Sequence, residues 1–172
     1  FFASAPLGVN PPGIADDPIF MAELAEIAAN KPANPDMYST AYAEFVETFV
    51  RVLGDPALPH LFFIEGGALA VENALKVAFD WKSQKNEAAG RDRNLGTQIM
   101  HLKECFHGRS GYTLSLTNTA DPRKTQYFPK FDWPRIDNPK VTFPMEGENL
   151  EAVVRAEKLA VAQIERAFQD NP

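Results

Sequence analysis

The sequence predicts an α/β fold: a mostly parallel sheet with flanking helices, preceded by an N-terminal helical segment. Three observations carry this expectation. Apolar residues recur at helical spacing in four separate segments. Two short apolar runs bracket the third of them, so strand, helix and strand follow one another in residues 60–102. A chain of 172 residues, 45% hydrophobic and 23% charged, is also long enough to bury one real core.

Residues 1–15, rich in Pro, Gly and Asn, read as irregular. Asp16 or Asp17 then caps a first helix, Pro18 suits its first turn, and Phe20, Leu24, Ile27 and Ala28 share a face; Pro32 and Pro35 end it. Ser39 caps a second helix with the stripe Tyr42, Phe45, Val46, Phe49, Val52 and Leu53, and Gly54 stops it. His60–Glu65 reads as a buried strand and Gly66-Gly67 breaks it. Ala68 to about Lys85 reads as a helix with Ala68, Val71, Leu75, Ala78 and Phe79 inward, and Asn86–Gly96 as a polar loop. Gln98–Leu102 is the second strand, expected to lie parallel to the first. A Gly/Ser/Thr-rich stretch runs from Cys105 to Asn118, and Pro122, Pro129, Pro134 and Pro139 punctuate a long connection. Val141–Phe143 offers one more short strand. Asn149–Gln169 is an amphipathic helix carrying Leu150, Val153, Val154, Leu159, Val161, Ile164 and Phe168. The expected division is residues 1–55, an irregular segment and two helices, and 56–172, the first part of an α/β domain.

Composition excludes several classes. Thirteen Phe supply too much apolar material for a disordered chain. The single cysteine, Cys105, rules out a disulfide framework and fits a reducing, cytoplasmic setting. Seventeen basic against 23 acidic residues give −6 without a basic stripe, which disfavours nucleic acid and anionic membrane as partners. The chain opens Phe1-Phe2-Ala3 without Met and stops just after a helical pattern, so a piece of a larger protein is expected.

Parallel strands put their C-terminal ends on one sheet edge, where ligands of open α/β sheets bind. Gly66-Gly67-Ala68 follows the first expected strand, and Phe106-His107-Gly108-Arg109 follows the second. The glycine pair lets a backbone approach a ligand, and the free N–H groups of the following helix suit a phosphate; a tight turn needing glycine only for its angles has the same pattern. Neither the dinucleotide nor the P-loop fingerprint is present. The second segment offers a ring that stacks on a planar heterocycle, an imidazole, and a guanidinium that grips a carboxylate with two hydrogen bonds. Taken singly, Phe106 also reads as core, His107 as a structural histidine and Arg109 as a surface charge. Cys105 reads as a buried inert thiol, and the three histidines, His60, His101 and His107, lack metal-ligand spacing.

Glu65-Gly66-Gly67-Ala68-Leu69-Ala70-Val71-Glu72-Asn73-Ala74-Leu75-Lys76 resembles the cofactor-phosphate turn and helix of class III pyridoxal-phosphate aminotransferases. Phe106-His107-Gly108-Arg109-Ser110 resembles their aromatic-His-Gly segment. Within that class the resemblance is strongest to the lysine 6-aminotransferases, through Phe45–Phe49, Gly54–Phe63, Phe79–Lys82, His107–Thr119 and Phe131–Asp137. It runs from Phe1 to about Asp137 and fades beyond. Where the wider class usually has Ser-Gly-Thr, this chain has Gly66-Gly67-Ala68, a departure that the lysine enzymes share.

The resemblance implies the large domain of the aspartate-aminotransferase type (fold type I), here incomplete, with pyridoxal 5'-phosphate as cofactor. It implies that the Gly67 and Ala68 amides hold the cofactor phosphate, that Phe106 stacks on the pyridine ring with His107 beside it, and that Arg109 binds the substrate carboxylate. The implied reaction moves the ε-amino group of L-lysine onto 2-oxoglutarate, giving 2-aminoadipate 6-semialdehyde and glutamate in a homodimer. The family's Schiff-base lysine and pyridine-pairing aspartate match no position in this chain, none of its nine lysines included, so the chain alone is expected to be inert. Relatives acting on ornithine, 4-aminobutyrate or diaminobutyrate, and a non-catalytic phosphate-binding fragment, are the alternatives.

Overall fold

The computed structural model describes residues 17–29, 38–119 and 121–171. They fall into two compact units, one ending at Glu65 and the other starting at Gly66.

The first unit holds two helices. Asp17 caps α1 (Pro18–Ala29), its Oδ1 accepting from the Ile19 and Phe20 amides at 2.9 and 3.3 Å. The prolines expected to end α1 lie outside the described residues. Its expected apolar face is not buried: Phe20, Leu24 and Ala28 are all exposed. Ser39 caps α2 (Thr40–Leu53) by accepting from the Tyr42 amide at 3.2 Å. Gly54 ends it as expected, and a Cβ there would collide with the Val50 carbonyl. The α2 stripe is only partly covered. Tyr42, Val46 and Phe49 are half-buried, whereas Phe45, Val52 and Leu53 are exposed.

Residues 60–65 form no strand, correcting the first half of the expected βαβ unit. The apolar run serves packing instead. Phe63 sets its ring edge-on against Phe45 and Phe49 of α2, with centroids 4.9 and 5.1 Å apart. A four-residue apolar run does not distinguish a strand from a loop that feeds an aromatic cluster.

The second unit is built on α3 (Gly67–Ala88), longer than expected and with Asn86 buried near its end. The Asn86 side chain donates to the Leu95 carbonyl at 2.9 Å and its own carbonyl accepts from the Arg91 amide, so one residue ends the helix and ties down the loop. Only His101–Leu102 of the expected 98–102 strand is a strand, β1. It runs parallel, as expected, but to β2 (Arg135–Ile136), with His101 opposite Arg135 and Leu102 opposite Ile136. Val141–Phe143 forms no strand.

The Gly/Ser/Thr-rich stretch contains a helix that composition hid, α4 (Gly111–Leu116). Residues 113–117 are all buried. Ser115 accepts from the Phe131 amide through Oγ (2.9 Å) and from Arg135 Nη2 through its carbonyl (3.2 Å), fastening α4 to the flank of β2. The core joins Leu75 of α3, Leu116 of α4 and Trp133, with Val71, Phe79, Ile99 and Tyr112 around them. Tyr112, Phe131 and Trp133 stack, the last two 4.9 Å apart and nearly coplanar in tilt at 8°. Helix α5 (Gly147–Asp170) buries Val153 and Ala160, while Gln163 brackets Asp137, accepting from its amide and donating to its carboxylate. The expected α5 stripe is broader than the buried face: Leu150, Val154, Leu159, Val161 and Phe168 remain exposed.

Candidate functional site

The N-terminus of α3 has the makings of an anion cradle. Gly66 precedes it at φ +90°, a conformation that favours glycine, and supplies no side-chain cap. The helix's first backbone bond runs from the Ala70 amide to the Gly66 carbonyl, so the amides of Gly67, Ala68 and Leu69 have no intrahelical acceptor. A Cβ built on Gly66 or Gly67 would meet nothing within 4 Å. Unspent donors, the positive end of a 22-residue helix and open space coincide there.

The second candidate segment comes up against this turn. Gly108, at φ +120°, packs so closely that a Cβ on it would lie 2.5 Å from the Ala68 Cβ and 2.9 Å from Thr113 Oγ1. The two stretches singled out in the sequence are therefore brought together, with a glycine required at the contact. Thr117 of the turn after α4 holds the segment from behind: its Oγ1 accepts from the His107 amide at 3.0 Å and donates to the Gly108 carbonyl.

Side chains in the segment divide by orientation. Phe106 is 65% exposed, which excludes the core reading within this chain. Arg109 is exposed and makes no hydrogen bond or ion pair among the described residues. The His107 ring is half-buried and makes no hydrogen bond there either. Cys105 is half-buried rather than buried; its thiol lies 2.7 Å from the Leu102 carbonyl and 2.9 Å from that of Leu116. Desolvation pushes the thiol's pKa up, which keeps it protonated and unreactive. A cavity of about 780 Å³ beside the 94–100 loop and the end of α5 includes none of these residues.

Sequence reasoning missed Glu72, Ser110, Thr113 and Thr117. Glu72 is 8% exposed, and its Oε1 accepts from Ser110 Oγ (2.8 Å) and the Thr113 amide (3.0 Å). The signal was present: Glu72 sits on the Ala68–Val71–Leu75–Phe79 face of α3, and a carboxylate on an apolar stripe calls for a partner.

Residues 13–171 match the family described as Aminotransferase class-III. The chain belongs to the class-III aminotransferase family. Its similarity to individual members is high. It is 61% identical over 172 residues to the L-lysine-epsilon aminotransferase of Mycobacterium tuberculosis, covering 100% of this chain and 37% of that one. It is 60% identical over 169 residues to the enzyme of the same name from Amycolatopsis lactamdurans, covering 98% of this chain and 37% of that protein. The structure described as lysine aminotransferase from M. tuberculosis in the internal aldimine form superposes with a TM-score of 0.81 at 62% identity, covering 95% of this chain and 37% of that one. The chain thus spans 37% of the length of these family members. Among the described residues, no helix is long and apolar enough to cross a membrane.

Proposed function

We propose that this chain supplies the cofactor-phosphate turn and the substrate-carboxylate reader of a cytoplasmic, homodimeric pyridoxal-phosphate enzyme that moves the ε-amino group of L-lysine to 2-oxoglutarate. The observation that carries the reading is the seating of Gly108 on Ala68, which puts the open N-terminus of α3 beside an exposed aromatic ring and a guanidinium with no ion pair among the described residues. Identity of 60–61% to lysine-epsilon aminotransferases supports the choice of substrate.

The residues present fit the cofactor. When bound, pyridoxal phosphate supplies an electron sink for the carbon that carries the transferred amine. The amides of Gly67 and Ala68 bind its phosphate, the helix dipole adding to their pull. Without hydroxyl side chains at the turn, backbone N–H groups would carry more of the phosphate binding. Phe106 offers a flat apolar face that orients the pyridine ring and excludes water from one side. His107, its amide tied to Thr117, fixes the backbone next to Phe106. Arg109 would pair with the substrate carboxylate through its planar fork, leaving the distal amine free to react.

The test is a chimaera in which this chain replaces the matching segment of the M. tuberculosis enzyme. With lysine and 2-oxoglutarate it forms glutamate, and it prefers lysine to 4-aminobutyrate. A folded, cofactor-loaded chimaera that makes no glutamate from lysine refutes the reading; a preference for 4-aminobutyrate moves the chain to another branch of the family.

A further inference from the structure

Glu72 is a buried carboxylate with no role in the mechanism above. It makes no ion pair among the described residues, and an apolar residue would fill the same helix face at no desolvation cost. Its two hydrogen bonds both reach across to the start of α4. Thr113, fully buried, tightens the junction: its Oγ1 accepts from the Ser110 amide at 3.1 Å and lies 2.8 Å from Ser110 Oγ. Helix α3 therefore grips the 108–110 segment twice, by contact at Ala68 and by hydrogen bonds one turn later at Glu72. Arg109 lies between the two grips.

We propose that Glu72 is a positioning residue that fixes the backbone of Arg109 relative to the Gly67 and Ala68 amides, and so sets the distance between the phosphate anchor and the carboxylate reader. That distance determines which length of amino acid spans the site, making Glu72 a determinant of substrate specificity acting through Arg109. The inference rests on the role given to Arg109 above. The carboxylate acts as a hydrogen-bond acceptor, and an amide oxygen in its place would accept the same two bonds.

The experiment uses the loaded chimaera. Glu72→Ala raises KM for lysine about tenfold with kcat changed by less than about twofold, the pattern of lost binding rather than lost chemistry. The preference for lysine over cadaverine, which lacks a carboxylate, falls in parallel, and the dissociation constant for pyridoxal phosphate stays put. Hydrogen exchange at the Thr113 amide accelerates at least about tenfold while Leu75 of α3 keeps its protection. Glu72→Gln behaves as wild type within about twofold, and Ser110→Ala falls between. If Glu72→Ala does not fold, these last two variants decide through the same readouts. Unchanged KM and Thr113 protection in Glu72→Ala, or Glu72→Gln as impaired as Glu72→Ala, overturns the proposal. So does a loss of stability in which KM, kcat and the cadaverine ratio stay as they were, the mark of a merely structural carboxylate. Failure of the unmutated chimaera to act on lysine would instead refute the proposed function, and the Thr113 exchange would still show whether Glu72 holds the segment.

Discussion

The contact between Gly108 and Ala68 gives the sharpest test of how the site is built. In Gly108→Ala the new methyl group meets the Ala68 Cβ at 2.5 Å, Thr113 Oγ1 at 2.9 Å and the Ala68 Cα at 3.0 Å. No rotamer relieves these overlaps, since a Cβ has none and two of the three atoms are fixed to the α3 backbone. A non-glycine residue at φ +120° adds backbone strain of about 1–3 kcal/mol. Overpacking adds about 1–3 kcal/mol, so the total loss is about 2–6 kcal/mol, a large share of a small domain's stability. Ala68→Gly alone, early in a long helix, costs at most about 1 kcal/mol. Combined, the two substitutions remove the Cβ–Cβ overlap and leave the strain, so the double variant recovers about 1–2 kcal/mol relative to the sum. Urea midpoints of the four proteins, at equal m-values, measure the coupling. Additivity to within about 0.5 kcal/mol would show that residues 68 and 108 do not touch, and the reasoning that joins the two segments would fall.

Three further outcomes follow from the same geometry. Arg109→Ala in the chimaera lowers kcat/KM for lysine at least tenfold, because a charge-assisted pair in a partly desolvated site is worth about 2–5 kcal/mol, and the variant loses most of its preference over cadaverine; a variant that still discriminates as wild type assigns the carboxylate to another residue. Phe106→Ala weakens retention of pyridoxal phosphate by a stacking contribution of about 0.5–1.5 kcal/mol, whereas Phe106→Tyr keeps the ring and the affinity, as equilibrium dialysis checks. His101 is buried, with Nδ1 3.1 Å from the Ile99 carbonyl and Nε2 without a partner among the described residues; burial, helped by Arg135 and His107 nearby, holds its pKa below the ordinary 6.5. The unfolded chain then binds a proton before the folded one does, so stability is full above pH 6.5 and is lost as pH falls through the depressed folded value. Urea midpoints from pH 7.5 to 4.5 trace that loss, and a His101→Phe variant with an equally steep profile places its origin elsewhere.

How much of this was legible in the sequence depended on whether the signal was local. Asp17, Ser39 and Gly54 act within their own turn of chain, and each does what its position announced. The helical stripes were legible as helices, but how much of each is covered depends on neighbours: α1 and the Val154–Phe168 side of α5 stay exposed although their spacing is good. Strands were the weakest reading, because a strand exists only by pairing. Residues 60–65 and 141–143 have the composition without a ladder, whereas Arg135–Ile136, beside a proline, has a ladder with little of the composition. Helix α4 was hidden because Ser110, Thr113 and Thr117 read as loop formers, while here their hydroxyls bond to Glu72 and to the backbone of the site. At the site, the two glycine-bearing segments and their exposed side chains were legible from type and order. The clamp behind them was not, since it is made by residues 38 and 41 positions apart in sequence.

The stacked rings around Trp133 give the second unit an optical signature. Trp133 is 7% exposed, in ring contact with Phe79, Tyr112 and Phe131, so its emission belongs to the blue and its transitions couple to those of Tyr112 in near-ultraviolet circular dichroism. The chain's other tryptophan, Trp81, is 58% exposed with Lys85 Nζ 4.6 Å above its ring, a cation that draws iodide to it. Iodide therefore silences one tryptophan and spares the other. What light remains reports on the packing of α3, α4 and the Trp133 segment, the scaffold on which the candidate site is mounted.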